Sequence, residues 1–280
     1  MEGISTLTNL TNLEVYDNKI ERIQSLGRLV NLTNLDLSYN EIRTLENLDS
    51  LVRLKTLYCA RNKLKTIDGL SALTSLTRLD LGSNRIREIG TGLATLTLLK
   101  ELWLGRNKIS QVAGLSTLKN LSILDIQSNR LVSLDGRAKQ KEGAEKVGER
   151  VVEEAAAVVD SVGMSMNVEL EELYMGHNGI TGINGLEGLT KLNTIDLSSN
   201  KITAIENVES LLSIEEFWIS CNGITSFDQI IPLQKVASEC LKTIYLEQNP
   251  ISTDFEYRKR LAEMFPTLTQ IDAAPCRRRE

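Results

Sequence analysis

Aromatic residues are scarce in this sequence: they account for 4% of its 280 residues, and histidine occurs once. No stretch approaches the ~18 consecutive apolar residues that a membrane-spanning helix needs. The N-terminal stretch MEGISTLTNL has no basic region followed by an apolar one, so we expect no signal peptide. The four cysteines are scattered without a C-x-x-C pair, which predicts free thiols in a reducing compartment rather than disulfides or a zinc site.

The balance of charge and the lack of reactive groupings exclude further classes of protein. With 32 basic and 37 acidic residues the formal net charge is -5, which argues against a nucleic-acid partner. The single histidine, His177, has no evident nucleophile to act on. We therefore predict a protein that is not an enzyme and that needs no cofactor or metal.

Asparagine recurs at a nearly constant interval along the whole chain. The ten positions are Asn18, Asn40, Asn62, Asn84, Asn107, Asn129, Asn178, Asn200, Asn222 and Asn249. Most intervals are 22 residues, and the exceptions are 23, 49 and 27. Each asparagine lies in the frame L-x-x-L-x-L-x-x-N-x-I with conservative changes, as in LTNLDLSYNEI (32–42) and LNTIDLSSNKI (192–202).

This periodicity is typical of leucine-rich repeats, which stack because one repeat cannot bury its apolar edge alone. We predict an α/β leucine-rich-repeat solenoid of ten 22-residue-type repeats, with a parallel sheet on the concave face and a helical cap at the C-terminus. The leucines of each L-x-L strand should face the interior, as should Cys59 in one of their positions. The asparagine should turn inward and satisfy backbone groups of the turn. The convex side of such short repeats should be 3₁₀ or irregular coil.

Residues 1–280 are predicted to form a single domain with two departures from the repeat. An insert occupies 137–163, because Gly136 and Gly163 fit the same position of the frame. Apolar residues at helical spacing predict an amphipathic helix within it. The insert is either an excursion packed on its own repeat or a second partner site. Residues 250–280 are predicted to form a cap and tail, with a helix from about Asp254 to Phe265 that ends before Pro266.

The middle residue of each L-x-L strand should point outward, because successive side chains of a strand alternate between faces. These residues are Glu14, Asp36, Tyr58, Asp80, Trp103, Asp125, Tyr174, Asp196, Trp218 and Tyr245. An exposed row that is entirely acidic or aromatic favours a protein-binding surface, since aromatic anchors supply energy and carboxylates supply orientation. Two alternatives remain: acidic residues such as Glu14 and Asp125 are only solvated, and the tyrosines stack for stability alone. A side chain such as Trp218 should lie outside the core, so that its removal leaves the melting temperature unchanged.

Three segments near the C-terminus carry a family resemblance: IEEFWISCN (214–222), LKTIYLEQNP (241–250) and YRKRLAEMFPTLTQIDA (257–273). They resemble the leucine-rich-repeat regulatory subunit of protein phosphatase 1. The resemblance implies a concave face that holds the phosphatase catalytic subunit. The positions here that match the binding residues of that family are Asp36, Tyr58, Asp80, Trp103, Asp196, Glu216, Trp218 and Tyr245. Members of the family often have phenylalanine where Tyr58 and Trp103 stand.

The repeat and the resemblance together predict a noncatalytic, monomeric scaffold that binds the catalytic subunit of protein phosphatase 1 and controls its maturation, targeting or activity. A cytoplasmic and nuclear location is expected, with no membrane or nucleic-acid partner. One alternative is an axonemal or cytoskeletal leucine-rich-repeat subunit that binds a motor or a tubulin-like protein. Another is a secreted bacterial adhesin, against which the absence of a predicted signal peptide argues.

Overall fold

Ten three-residue strands follow one another along the chain in a computed structural model that describes residues 3–134 and 163–276. Strands β1 to β10 are Asn12–Glu14, Asn34–Asp36, Thr56–Tyr58, Arg78–Asp80, Glu101–Trp103, Ile123–Asp125, Glu172–Tyr174, Thr194–Asp196, Glu216–Trp218 and Thr243–Tyr245. All ten are parallel and pair in sequence order, so the predicted solenoid is confirmed.

The register of the sheet is the same at every step. The residue between the two leucine positions of each L-x-L motif pairs with its counterpart in the next repeat. This holds even across the 49-residue interval, where Asp125 of β6 pairs with Tyr174 of β7. The sheet therefore continues past the position of the insert without a shift. The predicted insert 137–163, with its helix, lies outside the described residues except for Gly163, as does the end of the predicted tail from residue 277.

The interior is built from the repeating leucine and isoleucine positions. Leu102 and Leu104, which flank Trp103, are both fully buried, and so is Cys59 in the equivalent position of an earlier repeat. On the convex side the chain makes successive single turns, in which Leu29 N donates to Leu26 O and Leu32 N donates to Leu29 O at 2.8 and 3.0 Å. The convex side is thus tight turns rather than long helices, as the repeat length predicts.

The repeated asparagine holds each turn and joins it to the preceding repeat. Asn107 Nδ2 donates to Leu104 O of its own repeat and to Leu81 O of the preceding one, both at 3.0 Å. Its Oδ1 accepts from Ile86 N at 3.0 Å. The residue before each of the ten asparagines has a left-handed backbone conformation, with φ between 53° and 59°, and none of these residues is glycine. Left-handed residues other than glycine are unfavourable by about 1–2 kcal/mol each, and the backbone bonds between repeats offset that strain.

One buried position breaks the leucine pattern. Asn167 stands where other repeats have a buried leucine such as Leu118 or Leu189, and it is fully buried. Its Nδ2 donates to Leu115 O and Leu118 O at 3.0 and 2.9 Å. Both carbonyls already accept a backbone N–H, whereas Asn167 Oδ1 is enclosed without a hydrogen-bond partner in the part of the chain that the structure describes.

We expect Asn167→Leu to raise the free energy of unfolding by about 1–3 kcal/mol. An unpaired buried acceptor is unfavourable by about that amount, and the leucine adds apolar contact without leaving either carbonyl unpaired. Urea unfolding followed by circular dichroism measures the change. Asn9→Leu, at an exposed asparagine, is the control and should change stability by less than ~0.5 kcal/mol. A destabilised Asn167→Leu protein would show that the amide is needed at this position.

The segment between β9 and β10 contains a helix that the repeat pattern did not predict. Here the interval between asparagines lengthens to 27 residues, and the additional chain forms a 3₁₀ turn, Phe227–Ile230, followed by helix α1, Ile231–Ala237. Pro232 in the first turn suits a helix start, because that position donates no intrahelical bond. Leu233 and Ala237, four residues apart, turn one face of α1 into the core.

The predicted C-terminal cap is present, but its helix is shorter than expected and strands follow it. A 3₁₀ turn, Pro250–Thr253, precedes helix α2, Tyr257–Met264. Asp254 is extended rather than helical, and its carboxylate accepts from Glu256 N at 2.8 Å. The helix stops before Phe265 because a residue preceding proline disfavours helical dihedrals. Gln270–Ile271 (β11) then pairs parallel with β10, and Ala274–Pro275 (β12) pairs antiparallel with β11.

Asp272 completes the C-terminal end of the solenoid. Its Oδ1 accepts from Leu246 N and Glu247 N at 2.8 and 2.9 Å, and its Oδ2 accepts from the Tyr257 hydroxyl at 3.1 Å. The carboxylate thus satisfies N–H groups that would otherwise face the end of the sheet. At the other end, a short 3₁₀ turn at Ile4–Thr6 precedes β1. Among the described residues, no helix has the length and apolar character needed to cross a bilayer.

Candidate protein-binding surface

The acidic and aromatic row lies on the outer face of the sheet in one continuous register. Each three-residue strand from β2 to β10 has a buried residue at its centre and a half-buried residue at each end, and the residue at the C-terminal end belongs to the row. Asp80 pairs with Trp103, and Trp103 pairs with Asp125, so neighbours in the row sit on adjacent strands. The row therefore has the predicted arrangement of a ladder across the strands. Its residues are only half-exposed, because the side chains pack against one another.

The aspartates of the row have a structural task that the sequence reasoning missed. The Oδ1 atoms of Asp36, Asp80 and Asp196 each accept from the backbone N–H two residues later, at 2.8 Å. Asp125 does the same with Gln127 N at 2.9 Å, and its Oδ2 also accepts from Gln127 Nε2 at 3.0 Å. These carboxylates fasten the end of each strand to the following turn. The alternative that Asp125 is only solvated is therefore wrong.

Half-burial also changes the proton affinity of two of these carboxyls. Burial raises the pKa of Asp80 above its usual value, against the backbone hydrogen bond from Gly82, which lowers it. Burial likewise raises the pKa of Asp125, opposed by its bonds from Gln127. A raised carboxyl pKa means that the charged form is incompletely solvated. A cation from a partner would therefore be attracted more strongly here than at a fully hydrated carboxylate.

Two glycines make room for these carboxylates beside the aromatic rings. Gly105 and Gly176 lie two residues after Trp103 and Tyr174. A Cβ on Gly105 would lie 3.1 Å from Asp125 Oδ1, and one on Gly176 would lie 2.9 Å from Asp196 Oδ2. Glycine at these two positions therefore leaves space for the aspartate carboxylate of the following strand.

Three aromatic residues form a cluster at the C-terminal half of the surface. The ring centroids of Tyr174 and Trp218 are 6.2 Å apart, although the strand of Asp196 lies between theirs. Trp218 and Tyr245 are 5.6 Å apart in an edge-to-face arrangement. Trp218 Nε1 is enclosed and has no hydrogen-bond acceptor among the described residues. Trp218 lies outside the buried core, as expected, but its ring is held between two tyrosines.

Carboxylates surround this aromatic cluster. The Tyr174 hydroxyl donates to Glu172 Oε2 at 2.7 Å. Burial and the charges of Glu172, Glu216 and Asp125 raise the pKa of Tyr174 above its usual value. Glu216 itself is half-buried on β9, two residues before Trp218 and on the same face of the sheet. The C-terminal half of the surface therefore combines three aromatic rings in mutual contact with a negative potential.

The N-terminal half of the surface is a hollow of about 740 Å³ whose walls carry both signs of charge. Asp36, Tyr58, Asp80 and Trp103 of the predicted site line this hollow. So do residues that the sequence reasoning did not select: Tyr16, Tyr39, Arg61, Arg78, Glu101 and Arg106. The eight predicted site residues thus fall into two neighbouring groups, one in the hollow and one at the aromatic cluster.

A bidentate ion pair crosses the floor of the hollow. Arg78 Nε and Nη2 donate to Glu101 Oε2 and Oε1 at 2.8 and 2.7 Å. The two residues occupy the same frame position in adjacent repeats, and opposite charges 23 residues apart were the signal that could have predicted the pair. The Arg61 guanidinium also lies 4.9 Å from the centre of the Tyr39 ring. Such fixed charges give the hollow a defined electrostatic pattern.

In the part of the chain that the structure describes, Cys59 and His177 lie in different repeats, after β3 and β7. Burial raises the pKa of the Cys59 thiol, which holds it in its unreactive neutral form. His177 is the left-handed residue before Asn178 on a turn. Within residues 3–134 and 163–276 no group of histidine, cysteine or acidic side chains could hold a metal ion.

Comparison with known families identifies the repeats. A profile described as "Leucine Rich repeats (2 copies)" matches residues 8–50, 52–95 and 168–210, and one described as "Leucine rich repeat" matches 74–131. The chain belongs to the leucine-rich-repeat family. Proteins of this family are in general noncatalytic scaffolds for binding other proteins. No significant match was found among curated proteins.

Several solved structures share the fold. A leucine-rich-repeat protein of Leptospira interrogans is 22% identical with a TM-score of 0.69, over 96% of this chain and 68% of that one. The functional domain of InlJ from Listeria monocytogenes is 25% identical with a TM-score of 0.61, over 97% and 55%. TLR13, in a complex with ssRNA13, is 20% identical with a TM-score of 0.69, over 98% and 38%. These likenesses concern the solenoid alone.

Proposed function

We propose that this protein is a noncatalytic regulatory subunit that binds the catalytic subunit of protein phosphatase 1 through its concave face. The observation that carries the proposal is the cluster of Tyr174, Trp218 and Tyr245, framed by the carboxylates of Glu172, Asp196 and Glu216. Trp218, Tyr245 and Glu216 lie in the two segments whose sequences resemble the phosphatase-binding family.

The geometry suits a basic surface with an apolar element at its centre. Rings held in place by one another lose little side-chain freedom when a partner covers them, so more of the contact energy appears as affinity. Half-buried carboxylates beside the rings attract lysine or arginine and exclude acidic surfaces. Large aromatic residues at the centre of an interface, ringed by polar groups, are the usual hot spots of protein association.

Titration calorimetry with purified phosphatase catalytic subunit tests the proposal. We expect the wild-type protein to bind and Glu216→Lys to bind about tenfold or more weakly, because the substitution sets a positive charge against a basic partner surface. Glu209→Lys makes the same change of charge at an exposed residue off the sheet and is the matched control. It should leave the affinity within about twofold of wild type.

Two outcomes would contradict the proposal. Absence of any binding by the wild-type protein would favour the axonemal or cytoskeletal alternative. Equal weakening by Glu216→Lys and Glu209→Lys would show that overall charge, not the concave face, governs binding. If the proposal holds, the protein resides where the phosphatase does, in cytoplasm and nucleus, and acts as a monomer in a complex with one catalytic subunit.

A further inference from the structure

Basic residues are concentrated in the four loops that follow strands β3 to β6. In each loop we consider the residue before the asparagine, the residue after it, and the residue three positions after it. Eight of these twelve residues are basic and none is acidic: Arg61, Lys63, Lys65, Arg85, Arg87, Arg106, Lys108 and Arg130. The same positions after β7 to β10 hold a single lysine, Lys201. We call the eight residues the basic column.

The column is rigid because the loops are part of the repeat. Asn62 and Leu64 are buried, so the alternating residues Arg61, Lys63 and Lys65 point away from the core. The backbone N–H groups of the residues after the asparagines donate to the preceding loop at 2.8 Å, as Arg85 does to Leu64 O and Lys108 does to Ile86 O. The backbone positions of equivalent residues in successive loops are therefore about 4.8 Å apart, the spacing of the strands.

Stacked like charges at this spacing repel one another. Two unit charges 4–5 Å apart in water repel by about 1 kcal/mol, and more where the surface lowers the dielectric constant. Of the column residues within the described ranges, only Lys63 has an acidic side chain within salt-bridge distance, Glu41 of the preceding loop. A rigid array with this unbalanced charge, on a protein of net charge -5, is complementary to an anionic ligand.

We propose that the basic column binds an extended acidic segment of a protein partner. The four loops span about 14 Å, the length of some four or five residues of extended chain at ~3.3 Å each. A segment this narrow can lie along the loops without reaching the sheet. A nucleic acid is wider, and its phosphates would meet the carboxylates of Asp36, Asp80 and Asp125 on the neighbouring strands. Arg61 and Arg106 of the column also line the hollow of the concave face, so the column adjoins the surface proposed for the phosphatase.

Fluorescence anisotropy with a labelled twelve-residue polyglutamate peptide tests this inference. We expect the full chain to bind the peptide at low salt and to lose it progressively as salt increases, since the contacts are exposed ion pairs. Arg85→Glu/Lys108→Glu should weaken binding about tenfold or more, because it reverses two charges at the centre of the column. Lys201→Glu/Lys235→Glu makes the same change of charge outside the column and should stay within about twofold of wild type.

The fold of each variant is monitored by thermal unfolding, and we expect the column variant to unfold at the wild-type temperature or above it, because repulsion is relieved. Equal loss of peptide affinity in both double variants would overturn the proposal, as would absence of binding at low salt. A single-stranded RNA of equal charge that bound more tightly than the peptide, and lost affinity in the column variant, would reassign the column to nucleic acid.

Discussion

Leu104→Ala is expected to lower the free energy of unfolding by about 2–5 kcal/mol. The side chain is fully buried, as are Leu81 and Ile126 at the equivalent positions of the neighbouring repeats, and the loss of apolar contact adds to the cavity left behind. Because each repeat is stabilised by its neighbours, the effect should spread along the solenoid rather than remain local. Chemical unfolding followed by circular dichroism gives the magnitude, and hydrogen exchange shows which repeats are loosened.

Leu98→Ala is the matched control for this experiment. Leu98 belongs to the preceding convex turn and is 51% exposed, so the same truncation removes little buried surface. We expect a change below ~0.5 kcal/mol for the control. A change that small for Leu104→Ala would instead place Leu104 outside the core and contradict the described packing.

Trp218→Ala is expected to lower both partner affinity and stability. A truncated central anchor weakens binding by ~2 kcal/mol, about thirtyfold, which titration calorimetry with the phosphatase catalytic subunit would measure. The structure adds a second effect, because the indole contacts both Tyr174 and Tyr245. Each aromatic pair contributes about 0.5–1.5 kcal/mol, so the melting temperature should fall by several degrees.

Trp218→Phe separates the two effects. Phenylalanine keeps a ring between the tyrosines and removes the enclosed Nε1, which has no acceptor among the described residues. We therefore expect stability close to wild type, with an affinity between those of the wild-type and Trp218→Ala proteins. Wild-type affinity in Trp218→Ala would remove the aromatic cluster from the binding site, whatever its effect on stability.

The solenoid could be predicted from the sequence because its determinants recur. Leu102 and Asn107 each have counterparts in the other repeats. Spacing alone therefore identified the strands, the buried interior positions and the inward-facing asparagines. Helix α1 and strands β11 and β12 occur once, in segments where the interval changes or the repeat ends. Their formation depends on tertiary contacts, such as the bonds to Asp272, that periodicity does not encode.

The members of the candidate site could be selected from the sequence, but not their interactions. Alternation along a strand placed Asp80 and Trp218 on the outer face correctly. It did not show that Asp80 accepts from Gly82 N, because that bond depends on the dihedrals of the following turn. Nor did it show that Trp218 reaches Tyr174 past the intervening strand, because ring contacts depend on side-chain rotamers.

The junction between β6 and β7 has a kinetic consequence. Folding in a stacked array propagates from one formed repeat to the next, and each ordinary step closes a loop of 22 or 23 residues. Pairing Asp125 with Tyr174 closes one of 49 residues. The additional loop entropy is about 0.7 kcal/mol, which slows propagation across this step roughly threefold. The repeats up to β6 and those from β7 onward should therefore each form faster than the pairing between them, and partial unfolding should begin at this junction.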